Sequence, residues 1–138
     1  MTDLYTFLKE VEQTHRERIT IDNKEEELIT PLLYDLSRMP EVYECFAALI
    51  PSYSKEPLTS IDNRRVFIFI ILRLYCPRVF AGYKLSRGIR DAIANILQCE
   101  PSLVSHNFRN LSFYYLRYTE FRTKVDNVFT AIYSMISE

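Results

Sequence analysis

Apolar residues recur at three- and four-residue spacings along most of this chain, whose 138 residues include only two glycines, Gly82 and Gly88. Such spacing gathers apolar side chains on one face of a helix, whereas strand-rich domains need turn glycines that are missing here. The expectation is therefore all-α: a compact multi-helix domain, with 48% hydrophobic residues to supply a core.

Individual helices follow from the pattern. Leu4, Phe7, Leu8 and Val11 form a stripe that predicts a first helix from Thr2 or Asp3 to Glu17. Asp22 or Asn23 can cap a second one, "NKEEELITPLLYDLSRM", whose acidic first turn suits the helix dipole. Pro31 lies inside that pattern, so the helix either starts near Thr30 or is kinked, and Met39-Pro40 is expected to end it. "EVYECFAALI" predicts a further helix stopping at Pro51, and "PSYSKEPLTSIDN" a loop.

The run in "DNRRVFIFIILRLYCP" is apolar from Val66 to Leu72. It is too short to span a bilayer, and the element from Asp62 to Pro77 is long for a strand, so a buried central helix capped by Asp62 is expected. Gly82, in "RVFAGYKL", is placed to end a helix. The last element, with Phe121, Val125, Val128, Ile132 and Ile136 behind Thr119 as cap, predicts an amphipathic helix that packs on its own domain or pairs two copies.

The near-neutral total charge of −1 conceals a division. Residues 1–61 carry 6 Lys/Arg against 12 Asp/Glu, net −6, and residues 62–138 carry 11 against 6, net +5. An acidic N-terminal helical subdomain, 1–61, and a basic one, 62–138, are expected to form one unit, the basic half having the sign that attracts phosphate backbones. Cys45, Cys76 and Cys99 are odd in number and far apart, which fits reduced thiols, and neither His15 nor His106 stands at ligand spacing from a cysteine, so no metal is expected. The charged opening "MTDLYTFLKEVEQTHRER" has no apolar stretch of the kind that directs export, so a cytoplasmic location without membrane attachment is expected. No Gly-rich phosphate loop and no nucleophile–base spacing is present, so neither enzymatic activity nor a cofactor is expected.

The chemistry concentrates between Ser86 and Leu116. Ser86 can cap a helix with an inward stripe of Ile89, Ile93, Ile96 and Leu97. Cys99-Glu100 makes a short break, and Pro101 suits the first turn of a second helix, in which Val104, Phe108, Leu111 and Tyr115 line an inward face. Two amphipathic helices with so short a break cross steeply.

On these residues the segment resembles the helix-turn-helix of bacterial or mobile-element DNA-binding proteins. Ala94 matches the small residue where the two helices meet, Ile93 and Leu97 the flanking apolar positions, and Ser102, Val104 and Ser105 the start of the recognition helix. Two positions depart from the pattern: Gln98 stands where the family usually has glycine, so the turn must hold a larger residue, a left-handed backbone being one way to do so, and Glu100 brings a carboxylate toward the phosphates.

With Val104 inward, a turn of about 100° per residue puts Ser102, Ser105, His106 and Arg109 outward, with Asn110 at the margin. Arg109 can pair with a guanine edge, Asn110 with adenine, and the serines and His106 with bases or phosphates. Lys84, Arg87 and Arg90 suit phosphate contacts that fix docking orientation. The resemblance implies sequence-specific binding of double-stranded DNA, as a transcriptional regulator and homodimer; the alternative is a helical protein-interaction adaptor without DNA binding.

Overall fold

The computed structural model describes residues 3–137, and among these it contains seven α-helices and no strand. It divides into two units after Thr30. The charge boundary at residue 61 thus lies within the second.

The first unit is one helix, α1 (Leu4–Leu28). Asp3 caps it, its carboxylate accepting from the Thr6 amide at 2.8 Å. The expected end at Glu17 and new start at Asp22 or Asn23 do not occur; these residues lie inside α1. Nothing between them breaks a helix, and Gln13 bonds to Glu17 and Thr20 to the Arg16 carbonyl along the helix. The chain leaves the helix at Ile29, because the residue before Pro31 is pushed out of α geometry.

In the second unit Met39-Pro40 opens a helix instead of closing one. Asp35 caps a short 3₁₀ turn, and α2 (Met39–Leu49) follows with Pro40 in its first turn, where no amide donor is needed. A second 3₁₀ turn carries Pro51, so the expected stop there holds.

The apolar run is indeed a helix, α3 (Ile61–Tyr75), and Val66, Phe67, Ile68, Ile70, Ile71, Leu72 and Leu74 are all buried. A helix apolar on every side must be covered on every side. Its cap, however, is Ser60, whose hydroxyl accepts from the Asn63 amide at 3.1 Å. Asp62 falls in the first turn, which frees its carboxylate to meet Lys124 at 2.8 Å.

A 3₁₀ segment ends at Gly82, whose φ of 97° is one that a side chain rarely tolerates. Four helices complete the unit: α4 (Arg87–Leu97), α5 (Pro101–Phe108), α6 (Leu111–Arg117) and α7 (Thr119–Ile136). The α7 stripe Phe121, Val125, Val128, Ile132 and Ile136 is buried, and α7 packs on α2, α3 and α6 of its own unit. Met39, Val42 and Phe46 of α2 meet this core, where Tyr43 lies edge-on to Phe67 with centroids 5.0 Å apart. Truncating Phe67 to alanine would cost about 3–5 kcal/mol on the usual scale for such cavities.

Candidate nucleic-acid interface

The α4–α5 pair is built around one turn. Helix α4 ends at Gln98, which takes φ 54° and ψ 49° and is the only non-glycine residue with positive φ among those described. This conformation lets the Cys99 amide reach back to the Ala94 carbonyl at 3.0 Å, satisfying a group that a helix end otherwise leaves open. Glu100 flanks α5 without a side-chain cap bond, and Pro101 starts it. Ile93, Ala94 and Val104 are buried and Leu97 is half-buried, on two helices that pack on each other and on α3.

The second helix is shorter than its spacing suggests. It ends at Phe108, with a turn at Arg109 and Asn110 before α6 begins. The stripe Val104, Phe108, Leu111 and Tyr115 therefore spans two helices rather than one. Val104 and Leu111 are nevertheless buried, and Phe108 and Tyr115 half-buried, because the break preserves the inward direction.

Of the proposed contact residues, Ser102, His106, Arg109 and Asn110 are exposed and Ser105 is half-exposed. Ser102, Ser105 and His106 belong to α5, Arg109 follows its last residue, and Asn110 precedes α6. Leu103 is also exposed on α5 and was not singled out by its residue type; an apolar side chain there can meet a thymine methyl. Lys84 is exposed in the segment before α4, and Arg87 is exposed at its first position. Arg90 differs: its guanidinium donates to the Asp91 carboxylate at 3.1 and 3.2 Å, so a phosphate would compete with that partner. Of these residues only Arg90 pairs with a carboxylate, and the others keep their polar groups available to base edges and phosphates.

Among the described residues, no three His, Cys, Asp or Glu side chains gather as a metal site, and no helix is long and apolar enough to cross a membrane. Cys45, Cys76 and Cys99 are free thiols. No family model, no curated protein and no solved structure matches the chain.

Two groups outside the α4–α5 segment were not legible from spacing. Asn63 is fully buried, its amide donating to the carbonyls of Glu56 and Pro57 at 3.2 and 2.9 Å, which ties the loop to α3. Arg65 stacks on Tyr114, its guanidinium carbon 4.6 Å from the ring centroid. The pair "RR" at the start of a buried helix was a signal in retrospect, since a cation entering a core needs a partner there.

Proposed function

We propose that the chain is a sequence-specific binder of double-stranded DNA and acts as a transcriptional regulator, with α4–turn–α5 as its helix-turn-helix. The observation that carries this reading is the left-handed Gln98 between two short helices whose buried contacts are Ala94 and Val104. A turn of this kind holds the second helix at a fixed, steep angle to the first, as major-groove entry by one helix requires. Ser102, Ser105, His106 and Arg109 then supply base and phosphate contacts from α5 and its end, and Asn110 from the margin. Lys84 and Arg87, with Arg90 where it exchanges Asp91 for a phosphate, position the unit on the backbone.

A second reading, a protein-interaction adaptor, draws on exposed apolar side chains. Leu4, Phe7, Leu8 and Val11 are exposed on α1, as are Phe113 and Leu116 on α6, and such surfaces serve partners in many helical proteins. Selection of bound sequences from random duplex DNA separates the two. A DNA-reading protein enriches one motif, and its affinity falls steeply with salt; an adaptor enriches none and binds DNA no better than background.

A further inference from the structure

A hollow of about 340 Å³, lined by no residue of α4 or α5, opens between the loop before α3, the start of α3, α6 and the start of α7. Tyr114, Tyr118 and Phe121 form aromatic walls, with Tyr114 5.8 Å from Tyr118 and 6.2 Å from Phe121 between ring centroids. Five charged side chains also line it, and their pairing is uneven. Asp62 and Lys124 neutralise each other at 2.8 Å. Arg65, Glu56 and Glu120 make no ion pair among the described residues.

The Arg65 guanidinium is half-buried, and its Nε is sealed from solvent with no acceptor. The face of Tyr114 lies against it, and no carboxylate comes within ion-pair distance. A cation in such surroundings gains strongly from an incoming carboxylate, which Arg binds in a two-pronged fashion. Glu56 and Glu120 are exposed at the same hollow and are acceptors for a cation. A plain anion is repelled by the two glutamates, and a plain cation by Arg65. A molecule carrying both charges on a flat apolar body meets every group.

We infer that this hollow binds a free amino acid of the aromatic class, its carboxylate on Arg65, its ammonium on Glu56 and Glu120, and its ring among Tyr114, Tyr118 and Phe121. The inference does not depend on DNA binding.

Calorimetric titration of the full chain tests it, with L-phenylalanine as probe and 3-phenylpropionate and phenethylamine as analogues lacking the ammonium and the carboxylate. L-Phenylalanine is expected to bind saturably, one per chain, with a Kd of about 1 mM or below, and each analogue about tenfold more weakly. Arg65→Met and Glu120→Gln should each weaken L-phenylalanine by about tenfold or more. Absence of saturable binding in the millimolar range, equal binding of the analogues, or unchanged affinity in the variants overturns the proposal. Should circular dichroism show Arg65→Met unfolded, Glu120→Gln decides alone, because Glu120 is exposed and its loss leaves the core intact.

Discussion

The Cys99 amide donates to the Ala94 carbonyl at 3.0 Å, and the bond closes only because Gln98, just before Cys99, holds a left-handed backbone. An L side chain in that region costs about 1–2 kcal/mol relative to right-handed helix, a cost glycine escapes. Glycine also enlarges the freedom of the unfolded chain, which offsets part of the gain. Gln98→Gly is therefore expected to be neutral or stabilising by up to about 1 kcal/mol, whereas Gln98→Val, β-branched at positive φ, should destabilise by more than about 1 kcal/mol. Urea unfolding midpoints check both. A large loss with glycine would mean that the turn does not take this conformation in solution.

On the proposed reading, the DNA contacts divide by kind. Arg109→Ala is expected to lose about 1–3 kcal/mol of specific affinity and relax one base position, as for a side chain reading guanine. Arg87→Ala should weaken all sequences alike and flatten the salt dependence. Arg90→Ala should behave as Arg87→Ala but more weakly, since Asp91 already engages its guanidinium. Fluorescence anisotropy on the selected duplex and on a scrambled one, across a salt series, reads all three. Equal, sequence-blind losses would remove the recognition role from Arg109.

Which features were legible depended on whether local chemistry decided them. The buried α3 followed from the run Val66 to Leu72, and α7 from its apolar stripe, because burial of such faces overrides other preferences. The left-handed Gln98 was raised by a resemblance, since the position ordinarily holds glycine. Helix ends were harder. Asp22 and Asn23 have the chemistry of caps, yet they continue α1, because a cap residue starts a helix only where the chain before it has stopped being one. Met39-Pro40 looked terminal for a related reason: proline forbids a helix behind it but favours one ahead. The break at Arg109 and Asn110 has no proline or glycine to announce it, and the Arg65–Tyr114 stack joins residues too far apart for any periodicity to reveal.

Tyr75 gives a measurable pH dependence. Its hydroxyl donates to the Asp35 carbonyl at 2.8 Å, tying the end of α3 to the segment before α2. Burial pushes the phenol above its ordinary value, with the charges of Asp35 and Glu41 adding and Arg38 opposing. The unfolded chain therefore loses this proton first as pH rises. Its contribution is whole below the ordinary tyrosine value of about 10 and is lost as pH climbs through the raised folded value. Tyr75→Phe should cost about 0.5–1.5 kcal/mol at neutral pH and show a shallower alkaline decline than the unchanged protein. Thermal melts from pH 8 upward test this. Parallel declines in the two proteins would assign the alkaline loss to other groups.

On the proposed reading a helix as short as α5 would reach only a few base pairs, and DNA-reading proteins of this size commonly pair two copies about one DNA turn apart. The dimer interface is expected between Phe113 and Ile136. The buried stripe of α7 is committed to its own core, so the proposed pair would rest on what is left uncovered, above all Phe113 at 49% and Leu116 at 70% exposure, with Tyr118 beside them. A two-fold pair places this same patch on both subunits. Because Leu116 is exposed in the single chain, Leu116→Glu should leave the fold intact, with an unchanged circular dichroism spectrum. It should convert a dimer to a monomer in light scattering and weaken binding to a two-half-site duplex by about a hundredfold, while binding to one half-site changes little. If the unmodified protein is monomeric at high micromolar concentration, two-fold pairing is refuted. If Leu116→Glu unfolds the chain, the side chain belongs to the core and the interface lies elsewhere.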